Sequence, residues 1–130
     1  GELRKDFPGG WKGDKVNVFD DIGLSSLQIE TKSFVKSLLN WRRSNKAVAY
    51  GKLIHYPVTN GIYVYFRTYQ KDKLMVIMNN KENKEMLNLD IYRETFENKN
   101  YGVDIISGKT YNLLEELIVN PKTALILDLK

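Results

Sequence analysis

The hydrophobic spacing of the chain changes once, between residues 38 and 56, and this change limits the folds that are open to it. Before the change, apolar side chains recur three and four residues apart, which places them on one face of a helix. After residue 48 they alternate, as they do in a strand with one buried face. The sequence therefore predicts a helical segment followed by an all-β domain. The predicted helical stripe consists of Leu27, Thr31, Phe34, Val35, Leu38, Leu39 and Trp41.

The helix is predicted over Ser26–Ser44, with Thr31 as the alternative start. Ser25 and Gln28 have the spacing of a capping box, in which two side chains satisfy free backbone amides of the first turn. Asn45 follows the helix and is predicted to end it in a left-handed conformation, which asparagine tolerates. The residues before the helix, numbers 1–23, are rich in glycine and aspartate and are predicted to form a loop.

Eight short strands are predicted after the helix, because runs of apolar and β-branched residues are separated by clusters of turn residues. Their number and spacing are typical of an antiparallel Greek-key β-sandwich. The segment Tyr92–Phe96 fits either a helical turn or a loop. The predicted strands are Ala47–Tyr56, Ile62–Tyr69, Leu74–Met78, Glu85–Leu89, Val103–Ile106, Thr110–Leu113, Leu117–Val119 and Thr123–Leu129.

Four stretches of the chain carry the motifs of a known family. They are Arg4–Trp11 with Gly13 and Asp14, Leu39–Arg43 with Gly51–Leu53, Tyr63–Arg67, and Val76–Asn80. The first is the most specific, because it holds a proline and two glycines between aromatic residues. Together they resemble the α-amylase family, glycoside hydrolase family 13, and within it the neopullulanase and cyclomaltodextrinase group. There, the first stretch follows the eighth barrel strand, the second joins the last barrel helix to the C-terminal domain, and the others are strands of that domain.

The resemblance implies a mainly β fold. An amylase-type C-terminal sandwich would be preceded by a loop and one α-helix left over from a (β/α)8 barrel. It implies a division into residues 1–46, the end of a truncated catalytic barrel, and residues 47–130, the β-sandwich. We therefore expect the chain to be the C-terminal fragment of a longer enzyme, with the missing barrel as its partner. The cellular compartment is left open.

The parent enzyme implied by the resemblance cleaves α-1,4-linked glucans, such as pullulan or cyclodextrins, by a retaining double displacement. Its nucleophilic aspartate, its acid/base glutamate and a stabilising aspartate follow barrel strands four, five and seven, which all precede the motif at Asp6. We therefore expect no catalytic residue in this chain, whose role would be structural support of the barrel. The apolar stripe of the helix also offers a surface for self-association.

The loop from Asp6 to Trp11 is the first candidate for contact with substrate. Loops at the carboxyl ends of barrel strands form the mouth of the active site, where a tryptophan ring can stack on a sugar. The alternative is structural. In that interpretation Phe7 and Trp11 pack the loop onto the barrel wall, and the glycines between them allow a close approach.

A second candidate surface lies on one predicted strand, where Tyr63, Tyr65, Arg67 and Tyr69 share a face. We call these three tyrosines the tyrosine row. An aromatic row can bind an α-glucan, which would make the domain a stand-alone carbohydrate-binding module. The alternative is that this face packs against the helix or a neighbouring domain, because a tyrosine combines an apolar ring with a polar tip.

The composition excludes several kinds of site. The chain has no cysteine, so disulfides, thiol nucleophiles and thiolate metal sites are absent, and its one histidine, His55, does not favour a zinc site. We expect neither a metal nor a cofactor. The net charge of +4 comes from basic residues that are scattered among acidic ones, so nucleic acid is not an expected partner. No apolar run approaches the length of about 18 residues that a membrane helix needs.

Overall fold

The computed structural model describes residues 7–130 and divides the chain into two compact units, one ending at Trp41 and the other comprising Arg42–Lys130. The predicted domain boundary after Lys46 stays a prediction. The helices are α1 (Ser26–Ser44), α2 (Lys46–Tyr50) and α3 (Arg93–Phe96), the last preceded by a 3₁₀ turn, Asp90–Tyr92. The strands are β1 (Lys52–His55), β2 (Ile62–Tyr69), β3 (Asp72–Asn79), β4 (Glu85–Leu87), β5 (Tyr101–Asp104), β6 (Thr110–Asn112), β7 (Leu117–Val119) and β8 (Thr123–Leu129).

Helix α1 begins with the predicted capping box. The Ser25 backbone amide donates to Gln28 Oε1 at 2.8 Å, and the Gln28 amide donates to Ser25 Oγ at 3.3 Å. These bonds satisfy two amides that have no partner within the helix, which explains why α1 starts at Ser26 rather than at Thr31. None of the residues of α1 is buried, and Leu27 and Leu39 in the apolar stripe are 71% and 50% exposed.

The segment after α1 corrects two predictions. Residues 47–50 form a short helix, α2, rather than the start of a strand. Asn45 is extended, with φ −98° and ψ 110°, so it is not a left-handed cap; its side chain accepts the Val48 amide at 3.1 Å and begins α2. Asparagine can end a helix in a left-handed conformation or begin one as its N-cap. Here it begins α2, because burial of Ala47 favours that helix. Gly51 follows the helix in an extended conformation, and a side chain would not fit there because a Cβ would lie 2.2 Å from the Ala47 carbonyl oxygen.

The strands form two antiparallel sheets. The larger has six strands in the order β1-β2-β3-β8-β5-β6, and the smaller consists of β4 and β7. Strand β8 follows β7 after the short turn 120–122 and pairs with β3 on one side and β5 on the other. The predicted mainly β fold with eight strands is therefore confirmed, and the limits of β2, β7 and β8 coincide with the predicted ones.

The core lies between the two sheets. Strand β2 alternates strictly, with Ile62, Val64 and Phe66 almost completely buried. The segment that the sequence left open is helical, and it turns Tyr92 and Phe96 onto Phe66, with ring centroids 5.8 and 6.0 Å from that ring. Burial of each such side chain contributes about 1.5–3 kcal/mol, which explains why this turn is part of the sandwich.

Candidate functional site

The loop before α1 is organised around Asn17. Its backbone amide donates to the Ile22 carbonyl at 2.8 Å, and its side-chain amide donates to Asp20 Oδ2 at 2.8 Å. The side-chain oxygen accepts the Phe19 amide at 2.9 Å. Gly9, with φ +106°, packs so closely that a Cβ there would lie 2.5 Å from Asn17 Oδ1. The loop therefore has a defined fold of its own.

Lys32 fastens this loop to α1. Its Nζ donates to the Val18 carbonyl at 2.5 Å and forms an ion pair with Asp21 Oδ1 at 2.5 Å. Because one side chain holds both a backbone and a carboxylate oxygen, the loop is tied to the helix close to its centre.

Three aromatic side chains project from the loop. Phe7 and Phe19 contact each other with ring centroids 5.8 Å apart, and they are 65% and 68% exposed. Trp11 begins a tight turn in which its amide donates to Asp14 Oδ2 at 3.1 Å, and its ring is 81% exposed. The other predicted rim residue, Asp6, lies outside the described residues.

The tyrosine row is divided in the structure. Tyr63 and Tyr65 lie side by side with ring centroids 5.7 Å apart and planes tilted by 37°. Tyr69 instead contacts Tyr50 of α2 at 6.2 Å. Arg67 lies between them and donates to α2, with Nη2 2.8 Å from the Val48 carbonyl oxygen and Nε 3.3 Å from that of Ala47. Two of the three tyrosines therefore share a surface, and the third supports a helix.

The face of the six-stranded sheet that carries Tyr63 and Tyr65 is mainly apolar. Residues that are directly paired across neighbouring strands lie on the same face. We call this surface the outer sheet face, and the register assigns to it Leu53, His55, Tyr63, Tyr65, Arg67, Leu74, Val76, Met78, Ala124, Ile126 and Asp128. Leu53 is 50% exposed and Met78 is 37% exposed, so large apolar side chains are accessible at both ends of it.

Two charged side chains are buried in the sandwich and serve its structure. Asp104 accepts the Ser107 amide, the Ser107 hydroxyl and the Ile126 amide at 3.0, 2.6 and 3.1 Å. Lys73 donates to the Thr95 carbonyl at 2.9 Å and pairs with Glu97 at 2.5 Å. Across residues 7–130, every buried side-chain nitrogen and oxygen has a hydrogen-bond partner, and no three His, Asp or Glu side chains cluster tightly enough to hold a metal ion.

Two tyrosines have pKa values above their ordinary value. Burial raises the pKa of Tyr92, and the neighbouring Tyr56 raises it further. Burial, followed by the charge of Asp104, raises the pKa of Tyr111. Both hydroxyls are therefore kept neutral to a higher pH than in water, which fits a structural role rather than a role as a general base.

Residues 53–128 match a family model described as the cyclo-malto-dextrinase C-terminal domain, and the match covers more than half of the chain. The chain belongs to this family. The cyclo-malto-dextrinase C-terminal domain begins within β1 and ends within β8, so it includes both sheets and the aromatic turn of the core.

Solved structures show the same fold at low sequence identity. AmyP in complex with maltotriose is similar to this chain with a TM-score of 0.73 and 17% identity, over 85% of this chain and 22% of that one. An Anoxybacillus α-amylase is similar with a TM-score of 0.70 and 19% identity, over 93% of this chain and 26% of that one. The α-amylase from Geobacillus thermoleovorans complexed with acarbose is similar with a TM-score of 0.67 and 17% identity, over 83% of this chain and 24% of that one. The chain thus spans about a quarter of the length of these enzymes, and it carries the C-terminal domain of an α-amylase-family enzyme.

Within the cyclo-malto-dextrinase C-terminal domain, the sequence placed the tyrosine row on one strand face but did not predict that Tyr50 of α2 separates Tyr69 from Tyr63 and Tyr65. Outside the domain, the sequence singled out Trp11, whose contact with substrate stays a prediction, but it did not point to the two residues that hold the loop, Asn17 and Lys32. No local signal points to Lys32, because its partners Val18 and Asp21 are 14 and 11 residues away. Among residues 7–130, no helix is long and apolar enough to cross a membrane.

Proposed function

We propose that the chain is the C-terminal, non-catalytic part of a neopullulanase-like glycosidase that hydrolyses α-1,4-glucans with retention of configuration. The family match over residues 53–128 is the observation that carries this proposal. One structural relative adds support for the class of substrate, since AmyP has been solved in complex with maltotriose and with maltose.

The proposed reaction needs two carboxyl groups about 5–5.5 Å apart, one as nucleophile and one as acid and base. In the family that the sequence resembles, these groups stand on barrel strands that precede the motif at Asp6. This chain would therefore support the catalytic barrel and would contribute no catalytic carboxyl group.

The outer sheet face is the surface through which we propose that the domain supports the barrel. Its exposed leucine and methionine, Leu53 and Met78, flank Tyr63 and Tyr65, and large apolar groups left in contact with water mark interfaces. Tyrosine suits such a surface because its ring can be buried while its hydroxyl finds a partner at the edge. The proposed occupant is the catalytic barrel of the same parent chain.

An activity measurement tests the non-catalytic role. The purified 130-residue chain is incubated with soluble starch and with pullulan, and reducing ends are counted. We expect no release above the buffer blank, while the full-length parent releases sugar under the same conditions. Turnover by the chain alone contradicts the proposal, and so does a full-length parent that leaves both glucans intact.

The contact between Tyr63 and Tyr65 supports a second candidate function, that of a stand-alone carbohydrate-binding module. Calorimetric titration with maltoheptaose separates the two. Binding by the isolated chain that is lost in Tyr65→Ala favours the module, whereas a surface meant for the barrel gives no heat that depends on Tyr65.

A further inference from the structure

The loop before α1 exposes more aromatic surface than its own packing explains. Phe7, Trp11 and Phe19 are 65%, 81% and 68% exposed within 13 residues. Exposed aromatic side chains that are grouped in this way mark a surface with a partner, since burying such a ring is strongly favourable.

The three side chains fall into two kinds. Phe7 and Phe19 carry no polar atom and pack against each other, so an apolar protein wall can cover them. Trp11 carries an indole N–H, a donor that needs an acceptor when it is buried. Within residues 7–130 the indole has neither a ring contact nor a hydrogen bond. Whatever covers it must therefore offer an apolar face and an acceptor together.

The backbone beneath Trp11 is already ordered. Asp14 closes the turn by accepting the Trp11 amide at 3.1 Å and donating its own amide to the Trp11 carbonyl at 3.3 Å. Gly9 is pressed against Asn17, and Lys32 ties the middle of the loop to α1. A side chain on such a support loses little conformational freedom when a ligand binds, which favours binding.

We propose that Trp11 is a glucan-stacking residue, with its indole ring against the apolar face of a glucosyl unit and its N–H donating to a sugar hydroxyl. A pyranose supplies both the apolar face and the acceptor that the indole requires. The choice of an α-linked glucan rests on the proposed function, whereas the stacking role rests on the loop.

The experiment follows the two indole N–H signals of the ¹⁵N-labelled chain by NMR during titration with maltoheptaose. The chain has two tryptophans, so Trp41 is an internal reference. We expect the Trp11 signal to shift in a saturable way while the Trp41 signal stays in place. Saturation transfer from the protein to maltoheptaose should be lost in Trp11→Ala and largely kept in Trp11→Phe, which retains an aromatic face.

Tyr65→Ala is the matched control, because it removes an aromatic ring from the outer sheet face and leaves the loop intact. The Trp11 shift should persist in it. The proposal is overturned if the Trp11 signal does not move or if saturation transfer survives in Trp11→Ala. These outcomes are distinct from failure of the proposed function, which shows as turnover of starch by the chain alone.

Discussion

Lys32 on helix α1 forms an ion pair with Asp21, with Nζ 2.5 Å from Oδ1, and the same nitrogen holds the Val18 carbonyl. One flexible side chain thus joins a helix to a loop that has no regular strand. The two charged groups are partly exposed, at 30% and 46%, so water and salt screen their attraction. The contact should therefore order the loop much more than it stabilises the whole fold.

The first prediction concerns this contact. In Lys32→Met the loop should lose hydrogen-exchange protection at the Asn17 and Phe19 amides, while the free energy of unfolding falls by no more than about 1 kcal/mol. Exchange measured by NMR and urea denaturation report the two quantities. Lys36→Met is the matched control, because it removes a lysine one turn further along the exposed surface of α1. Equal protection in the two variants would show that Lys32 does not order the loop.

The second prediction concerns Arg67, which donates to the Ala47 and Val48 carbonyls at the end of α2. Arg67→Met should lower the free energy of unfolding by about 1–3 kcal/mol, because two charge-assisted bonds to backbone oxygens are lost. Arg67→Lys should recover less than half of this, since an ammonium group cannot span both carbonyls in the same geometry. Urea denaturation measures each value.

Arg43→Met is the control for the loss of a positive charge, because Arg43 is exposed in the last turn of α1. It should change the free energy of unfolding by less than about 0.5 kcal/mol. If Arg43→Met and Arg67→Met cost the same, then α2 is held by its packing alone and the two hydrogen bonds contribute nothing.

The strands could be predicted where alternation is strict and turn residues flank it. Strand β2 runs from Ile62 after Asn60 and Gly61 to Tyr69 before Gln70, and both Asn60 and Gln70 have positive φ. Turn residues next to β2 in the sequence therefore indicate both of its ends. Strand β5 was misplaced by two residues, because its end depends on Asp104, whose carboxylate accepts the Ser107 amide and hydroxyl and so turns the chain early.

The candidate site was less predictable for two physical reasons. Helix α2 has five residues, which is too short for a helical period to be distinguished from alternation, and its start depends on one Asn45 side chain. The division of the tyrosine row follows from that helix, because Tyr50 is what covers Tyr69. The tie from Lys32 to the loop joins residues far apart in the chain, and spacing carries no information about such contacts.

The third prediction concerns pH. The pKa of Tyr92 lies above its ordinary value of 10.0 because the side chain is buried, and Tyr56 adds to the shift. The unfolded chain therefore loses this proton first. The contribution of Tyr92 to the free energy of unfolding is therefore complete below pH 10 and is lost as the pH rises through the raised pKa.

In Tyr92→Phe the free energy of unfolding should fall less steeply above pH 10, by up to about 1.4 kcal/mol per pH unit for the one proton removed. Urea denaturation at a series of pH values gives the slope. Some pH dependence of the free energy of unfolding should remain in this variant, because burial also raises the pKa of Tyr111. Tyr101→Phe, at an exposed position, is the control, and equal slopes in the two variants would assign the alkaline loss of stability to another group.

The last prediction tests the outer sheet face with a pair of methionines on the two sheets. Met78 lies on the outer sheet face and is 37% exposed, and Met86 lies on the smaller sheet opposite Ile118 and is 59% exposed. In the 130-residue chain, lysine at either position should change the free energy of unfolding by no more than about 1 kcal/mol, since both charges reach water. In the full-length parent, Met78→Lys should cost about 2 kcal/mol or more, because the barrel would bury the new charge without a partner. Met86→Lys should cost no more there than in the isolated chain, so equal effects of the two substitutions in the parent would place the barrel on another surface.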